Sequence, residues 1–469
     1  MKKKLVSAVL CMSMAMAMFA GSVTSVAASD DADGEKITVT LGIWPEDTLE
    51  DQIEMHEGFV ERMKEIDPNV EFVPAYYKYA TETFMPMVEA GNCPTIFESW
   101  FTETQKLIRE GAVADITDEL EERGWLDKMN PIIREQFSDE NGRVYGIPRD
   151  AYALGLMCNV EVFEEAGLVN DDGTIQYPKT WDELAETAKT IKDTTGSAGL
   201  CLLAKDNAGG WHWSNIAWAF GAKLVDENED GTYTAHLDSE EAIAAMDYVK
   251  SLKWDYDVLT ADPTSEDWGT GFTQLGTGGA AMYIAANDAI NQPTEVNGLP
   301  VDKVALVPIP AGPGGQYLLQ GGTPYMFSKD ATPEEINAAL DYLEVFGKAP
   351  SASEDAIAGW EADYSQKEEV GTPVIPRFPC WTDQEILDAE QKVIDEHSNV
   401  DMALFQDYFD LVDTEALRTE EPGLTQDMYA EITKVLQEVL VNEDADTAAL
   451  MATANENYQQ ILDDKFKAN

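Results

Sequence analysis

Residues 142–168, GRVYGIPRDAYALGLMCNVEVFEEAGL, are the stretch from which the fold of this chain can be inferred. The stretch opens with a short extended segment that glycine and proline punctuate. The apolar run 153–158 is typical of a buried strand, and it ends at Asn159. A short helix over 160–166, closed by Gly167, follows. The stretch therefore predicts a strand, a turn and a helix of an α/β protein.

The residues before this stretch alternate between strand and helix patterns. Predicted strands and helices follow one another in the order 37–43, 51–66, 70–75, 82–90 and 93–97. This alternation is typical of a doubly wound parallel sheet, in which ligands bind beyond the carboxyl ends of the strands. Trp44 and Trp100 follow the first and third predicted strands, so both are candidates for such a site.

Three later helices are predicted to begin with a capping box. Thr180 and Glu183 mark the start of the first, Asp238 and Glu241 mark the second, and Thr332 and Glu335 mark the third. Trp181 begins an apolar repeat at helical spacing in the first of these helices, so we expect its side chain to lie in the core.

The charge of the chain excludes several classes of partner. Its 88 Asp and Glu residues outweigh 31 Lys and Arg residues, and the formal net charge is −57. Such a field repels nucleic acid and anionic membrane surfaces. It also argues against an anionic ligand, although one local arginine can override the global field.

The length of 469 residues is enough for two or three domains with a sizeable core.

The N-terminus has the organisation of a cleaved signal peptide. Three lysines precede an apolar run over 5–20, and small residues before Ala28 predict cleavage after it. Residues 1–28 would then be removed. The apolar run is shorter than the roughly 20 residues that a membrane-spanning helix needs. Cys11 follows a leucine and too short an apolar run, so we expect an exported protein without a lipid anchor.

The remaining cysteines form no metal motif. They are Cys93, Cys158, Cys201 and Cys380. None belongs to a CxxC pair or a cluster with histidine, which argues against zinc. Their spacing leaves the disulfide pairing open. A bridge between Cys158 and Cys201, both in predicted core strands, is the alternative to buried free thiols.

An acidic string is the other candidate metal site. Residues 226–231, DENEDG, match the start of a calcium loop, but Leu237 stands where the closing carboxylate should be. We therefore favour a hairpin turn and predict no metal site.

The sequence carries no positive sign of catalysis. It has no HExxH, GxSxG, P-loop or dinucleotide-binding motif. The Gly-rich segment 276–279 leads into an apolar strand rather than a helix, which disfavours phosphate binding. Carboxylate pairs are too common in so acidic a chain to indicate glycoside hydrolysis. We predict that the protein is not an enzyme and uses no cofactor.

Several phrases resemble family 1 of the bacterial extracellular solute-binding proteins, the carbohydrate receptors of ABC importers. The phrases are YGIP at 145–148, FEEAGL at 163–168, TWDEL at 180–184, GTGGAAM at 276–282 and the paired glycines at 321–322. The match extends over nearly the whole mature chain. Two departures are Cys158, where the family usually has tyrosine, and the lack of the usual lysine before 280–282.

The resemblance implies an α/β fold of the periplasmic-binding-protein-like type II, with two doubly wound lobes joined by a hinge. We place the first lobe at 37–151 with 322–350, and the second at 152–321 with 351–469. The implied function is capture of a sugar or oligosaccharide in the interlobe cleft and delivery to the permease subunits of an ABC importer. The protein would be an extracellular or cell-envelope monomer, associated with the membrane through its transporter.

Aromatic side chains beside polar groups are the most informative candidates for the ligand site. Aromatic rings stack on the apolar face of a sugar, and polar groups bind its hydroxyls. The predicted ligand-binding residues are Trp44, Glu46, Trp100, Asp150, Tyr152, Trp211, Trp213, Asp288, Arg377 and Trp381. We expect Trp211 in a loop after a turn at Gly209-Gly210, facing Trp100 across the cleft. We assign Trp125, Trp218 and Trp254 to the core.

Two other functions fit the same residue types. An exported glycan-active hydrolase would also use aromatic and acidic residues, and turnover of a chromogenic glycoside would reveal it. A binder of another solute, such as a polyamine, would use an aromatic cage with acidic groups. The strong acidity of the chain would suit the second alternative.

Overall fold

The computed structural model describes residues 36–412, 414 and 416–466, so the predicted signal peptide and Cys11 lie outside the described residues. The elements up to the crossover strand are β1 (Ile37–Leu41), α1 (Glu50–Ile66), β2 (Val70–Pro74), α2 (Thr81–Glu89), β3 (Ile96–Glu98), α3 (Phe101–Arg109), α4 (Thr117–Glu122), α5 (Pro131–Gln136) and β4 (Gly146–Asn159). Strand β1 pairs in parallel with β2 and with β3. The first three strands therefore form the doubly wound arrangement that the sequence predicts.

The middle of the chain builds a second group of strands and helices. Its elements are α6 (Val160–Glu165), α7 (Trp181–Thr195), β5 (Ala198–Cys201), α8 (Ala208–Phe220), β6 (Val225–Glu227), β7 (Tyr233–Ala235), α9 (Glu240–Trp254), α10 (Trp268–Gly276), β8 (Ala280–Ala286) and β9 (Val304–Val307). Strand β8 runs parallel to β5 and antiparallel to β4. The acidic string forms the hairpin β6–β7, in which the Asp230 carboxylate accepts a hydrogen bond from the Thr232 amide at 3.1 Å.

The last part of the chain returns to the first strands and then adds helices. Its elements are β10 (Leu318–Phe327), α11 (Pro333–Val345), α12 (Glu354–Val370), α13 (Gln384–His397), α14 (Gln406–Val412), β11 (Leu417–Thr419), α15 (Thr425–Val441) and α16 (Thr447–Lys465). No helix among the described residues is both long and apolar enough to span a bilayer.

Strands β4 and β10 join the two groups of strands. The sequence predicts two separate extended pieces here, but β4 is one strand of 14 residues. Its first half pairs with β10, and its second half pairs with β8 and β9. Strand β10 continues to β3, which gives the strand order β2-β1-β3-β10-β4-β8-β5. Residues 142–168 therefore contain the strand that connects the two halves of the sheet.

Two of the three predicted helix starts are observed, whereas the helix predicted to begin at Asp238 has Ser239 as its N-cap residue. Thr332 and Glu335 form a complete capping box, in which each side chain accepts a hydrogen bond from the other residue's amide. Thr180 accepts from the Glu183 amide at 3.2 Å, but the Glu183 carboxylate accepts from the preceding Lys179 amide instead. Trp181 is 1% exposed, which confirms its place in the core.

The predicted turn at Gly209-Gly210 is wrong, because both glycines lie inside helix α8. A Cβ atom at Gly210 would lie 2.4 Å from the Cα atom of Tyr429 on α15. The glycines therefore allow two helices to approach closely, and Trp211 lies on a helix rather than in a loop.

The described cysteines form no disulfide, and two of the three other tryptophans that were expected in the core are buried. All four described cysteines are free, and burial raises the pKa of both Cys158 and Cys201. The alternative of a bridge between these two is not realised. Trp125 and Trp218 are buried, whereas Trp254 is half-buried and donates its indole N–H to a backbone carbonyl.

Candidate functional site

A cavity of about 640 Å³ opens at the carboxyl ends of the first three strands. Aromatic side chains from the segment after each strand line it. They are Trp44 after β1, Tyr76, Tyr77 and Tyr79 after β2, and Trp100 after β3. Trp100 is 40% exposed and meets the ring of Tyr79 edge-on, with 5.3 Å between the ring centroids. This arrangement gives the cavity the apolar, flat surfaces on which a ring-shaped ligand can stack.

Charged side chains form the floor of this cavity. Arg149 on β4 donates to a Glu98 carboxylate oxygen at 2.8 Å and to an Asp150 carboxylate oxygen at 2.6 Å. Crowding by protein lowers the pKa of Arg149, but the carboxylates of Asp150 and Glu98 outweigh it and raise the pKa above its ordinary value. The guanidinium is therefore permanently charged and is committed to two carboxylates.

A second cavity, of about 700 Å³, adjoins the first. The two cavities share Gln52, Arg149, Asp150 and Lys348, so they are neighbouring parts of one cleft. The part of the second cavity away from this junction is lined by helices α12 and α13 and by the segments that follow β8 and α12. Among the predicted site residues it contains Asp288, Arg377 and Trp381.

Asp288 reaches the cleft from the end of β8. The side chain of the preceding Asn287 accepts a hydrogen bond from the Ala153 amide at 3.3 Å, which fixes this turn against β4. The Asp288 carboxyl is accessible from the cleft, yet surrounding protein and the nearby Asp150 carboxylate raise its pKa to about 7. Near neutral pH it can therefore both donate and accept hydrogen bonds.

The segment that carries Arg377 and Trp381 is tied to the first part of the chain. Asn130 donates its side-chain amide to the Pro379 carbonyl at 2.8 Å. Trp381 packs edge-on against Trp125, with 6.3 Å between centroids. Arg377 is exposed, but its guanidinium is bound to the Glu390 carboxylate at 2.7 Å. Trp381 therefore presents a half-buried aromatic face to the cavity, whereas Arg377 is engaged within the wall.

Tyr152 and Trp211 form an aromatic pair beside the two cavities rather than inside their linings. Their ring centroids are 6.2 Å apart at an interplanar angle of 86°, and both side chains are half-buried. The negative charges of Glu420 and Asp288 act on the Tyr152 hydroxyl, whose pKa burial has already raised. A Cβ atom at Gly321 would lie 2.5 Å from that hydroxyl, so this glycine makes room for Tyr152.

The structure contradicts the prediction that Trp213 contacts ligand. Its side chain is completely buried. Successive residues of an α-helix point about 100° apart, so Trp211 and Trp213 face roughly opposite directions from α8. His212 between them is also buried, without a hydrogen-bond partner for either ring nitrogen among the described residues, and burial lowers its pKa to about 3. Adjacency in the sequence does not mean a shared face on a helix.

Glu46 lines the first cavity, and so do aromatic and basic residues that are not among the predicted ligand contacts. Tyr76, Tyr77 and Tyr79 follow β2 just as Trp44 follows β1, so the same strand-end argument would have found them. The position after a strand could not have revealed Lys348, because this residue follows helix α11. Only the packing of distant parts of the chain brings it to the cleft.

Comparisons with known proteins give a consistent result. Residues 51–349 match the family model described as bacterial extracellular solute-binding protein. A putative binding protein of Brucella abortus is 27% identical over 353 residues, which is 73% of this chain and 77% of that protein. The diacetylchitobiose binding protein DasA of Streptomyces coelicolor is 24% identical over 322 residues, covering 62% of this chain and 68% of DasA.

The fold is shared with solved structures. An ABC transporter solute-binding protein from Thermotoga lettingae, bound with alpha-D-tagatose, superimposes with a TM-score of 0.67 at 18% identity. The match covers 91% of this chain and 100% of that structure. This likeness confirms the α/β fold of the type II periplasmic binding proteins.

Proposed function

This chain belongs to the bacterial extracellular solute-binding proteins, and on that basis we propose that it captures a sugar or oligosaccharide and delivers it to the permease of an ABC importer. The family binds solutes and does not transform them, so the expectation of a non-enzymatic protein agrees with the family. One relative is named a diacetylchitobiose binding protein, and one solved structure of the same fold is bound with alpha-D-tagatose. These names support a carbohydrate as the ligand.

One observation carries the proposal for the site. Aromatic side chains project from the ends of three neighbouring parallel strands, around a floor of charged groups centred on Arg149. A pyranose ring needs both surfaces, because its C–H face is apolar and its edge carries hydroxyl groups. The proposed contacts are Trp44, Glu46, Trp100, Asp150, Tyr152, Trp211, Asp288, Arg377 and Trp381. Of the predicted residues, only Trp213 is removed from this set.

In the proposed mechanism, two lobes close on the ligand about a hinge. The first lobe would comprise 37–151 with 322–350, and the second 152–321 with 351–469. The two strands that join the halves of the sheet, β4 and β10, would form the hinge. Closure about them would bring the second lobe onto a ligand held by the first, and the closed form would be the one that the permease recognises. We further propose that the protein acts as an extracellular or cell-envelope monomer that associates with the membrane through its transporter.

A panel of thermal melts tests this function. Mono- and oligosaccharides and polyamines are added singly to the mature protein. A ligand at about 100 times its Kd adds roughly 2.7 kcal/mol to the free energy of unfolding, which raises the melting temperature by several degrees. We expect at least one saccharide to give such a shift, and polyamines to give none. A shift with a polyamine alone would replace the proposed ligand class.

A matched pair of variants shows whether the shift arises in the cleft. Trp268 is 45% exposed, is the first residue of helix α10, one position further along than the N-cap position that Trp100 occupies in α3, and lies outside both cavities. Trp100→Ala should abolish or strongly reduce the saccharide shift, and Trp268→Ala should leave it unchanged. Equal losses in both variants would argue against the cleft as the binding site.

A further inference from the structure

Lys348 carries a charge for which the protein supplies no contacting carboxylate. It follows α11 and lines both cavities at the place where they adjoin. Most described lysines of this acidic chain lie within 4 Å of a carboxylate. Across the described residues, the Lys348 ammonium has no such ion pair and no hydrogen bond, and its closest aromatic contact is the Phe346 ring at 5.3 Å.

The other charges around Lys348 are already engaged. Arg149 and Arg377 both face it and repel its charge, and Asp150 attracts it from beyond contact distance. The Asp150 carboxylate is bound to Arg149 at 2.6 Å. The Glu390 carboxylate is likewise bound to Arg377 at 2.7 Å. Of the three cations described at this junction, Lys348 is therefore the one without a carboxylate in contact, within a chain whose net charge is strongly negative.

The surroundings of Lys348 also act on its pKa. Burial lowers the pKa of Lys348, the Asp150 carboxylate opposes this change, and the two arginines add to the lowering. Burial and the charge of Lys348 together lower the pKa of His56, another residue of the first cavity, to about 4. Lys78 also lines this cavity, but its side chain is exposed to water. Lys348 is thus the lysine of this cavity whose charge is poorly hydrated.

Closure of a cleft on a ligand removes still more water from the groups that line it. An ammonium that loses water without gaining a counter-charge is costly. The hydroxyl groups of a neutral sugar would offset part of this cost by accepting hydrogen bonds, whereas a carboxylate or phosphate group on the ligand would offset more of it through a charge-assisted hydrogen bond. We propose that the cleft takes an acidic saccharide and that Lys348 binds its anionic group.

This inference rests on the proposed capture of a saccharide and adds the chemical class of the ligand. The aromatic walls on either side of Lys348 would hold the sugar rings, with Trp44 and Trp100 in one cavity and Trp381 in the other. The anionic group would then lie between two occupied cavities. The ligand would accordingly be an oligosaccharide with the acidic group at or near an inter-ring position.

Calorimetric titration with matched probes tests the inference. The probes are oligosaccharides of galacturonate, glucuronate and mannuronate, the methyl esters of the same compounds, and hexose 6-phosphates. Esterification removes the charge and keeps the rings, so wild-type protein should bind one acid at least about tenfold more tightly than its ester. Binding of a uronate would identify the anionic group as a carboxylate, and binding of a hexose 6-phosphate would identify it as a phosphate.

Three variants assign the effect to Lys348. Lys348→Met removes the charge at similar length and should weaken binding of the acid by about tenfold to a hundredfold, with little change for the ester. Lys348→Arg keeps the charge and should retain most of the affinity. Lys329→Met, at an exposed lysine outside both cavities, changes the net charge equally and should have no effect.

The outcomes separate this inference from the function on which it rests. Preference for neutral saccharides, or equal effects of Lys348→Met on acid and ester, would overturn the inference and leave saccharide capture intact. The absence of binding by any saccharide, acidic or neutral, would overturn both. If a thermal melt shows that Lys348→Met does not fold, the titrations of wild-type protein and Lys348→Arg with acid and ester still test the inference. A preference for the acid in both proteins would support it, and the lack of that preference in wild type would overturn it.

Discussion

Trp100 and Trp181 occupy similar local positions and have opposite surroundings. Trp100 is the N-cap residue of α3, and Trp181 is the first residue of α7. Trp181 is 1% exposed and packs edge-on against Tyr248 at 5.8 Å, whereas Trp100 is 40% exposed. The difference lies in what precedes each helix. Trp100 follows the carboxyl end of a parallel strand, which opens onto the cleft, so the same residue type serves the site there and the core elsewhere.

The two helix starts also differ in how they are capped. Thr180 caps α7 by accepting a hydrogen bond from the Glu183 amide. Helix α3 has no such bond, because a tryptophan occupies its N-cap position. Asn, Asp, Ser and Thr are the residues that stabilise this position. Trp100 thus stands where a capping residue would favour stability, which is consistent with a role in binding.

The largest expected effect is the loss of stability in Trp181→Ala. Removing a buried tryptophan leaves a cavity and should lower the free energy of unfolding by about 3–5 kcal/mol. Urea denaturation of wild type and variant measures it. Ligand affinity of the folded variant should be unchanged. A loss below about 1 kcal/mol would contradict the assignment of this residue to the core.

Trp100→Ala should have the complementary effect, on binding rather than on stability. Loss of a stacking aromatic typically costs about 1–3 kcal/mol of binding free energy. We expect the same range for Trp211→Ala, because Trp211 would face Trp100 from the second lobe. Calorimetric titration measures both, with Trp268→Ala as the control. Unchanged affinity in both cleft variants would refute the site, even though the fold would stand.

The capping difference predicts smaller changes of opposite sign. Thr180→Ala removes a capping hydrogen bond and should cost about 1 kcal/mol of stability. Trp100→Asn introduces a capping side chain and should raise stability by about 0.5–1 kcal/mol while it weakens binding. Denaturant midpoints of the two variants measure the changes. A destabilised Trp100→Asn protein would show that Trp100 supports the fold.

The smallest expected effect concerns pH, because the Asp288 side chain is exposed to water, which screens its interactions. The folded state holds the Asp288 proton up to a pKa of about 7, above the ordinary value of 3.8. Its contribution to stability is therefore complete below pH 4 and is lost as the pH rises towards and through 7. Asp288→Asn removes this titration, so the stability of the variant should fall less than that of wild type between pH 4 and pH 8. Parallel pH profiles for the two proteins would contradict the raised pKa.

The sequence predicts features whose causes are local. The capping box of Thr332 and Glu335 involves residues three positions apart, and the place of Trp44 after a strand follows from a pattern of a few residues. Features that depend on distant partners were missed or wrong. Strand β4 pairs along its length with β10, β8 and β9, and Gly210 lies in a helix where the missing side chain lets Tyr429 approach closely. Lys348 reaches the cleft through the same long-range packing.

The central claim is that this protein binds a saccharide between aromatic walls at the ends of β1, β2 and β3. The most direct measurement is a calorimetric titration of wild-type protein, Trp100→Ala and Trp181→Ala with the saccharide that gives the largest thermal shift. The account predicts saturable binding to wild type and to folded Trp181→Ala with similar affinity, and binding at least about fivefold weaker to Trp100→Ala. Equal affinity for wild type and Trp100→Ala would contradict it.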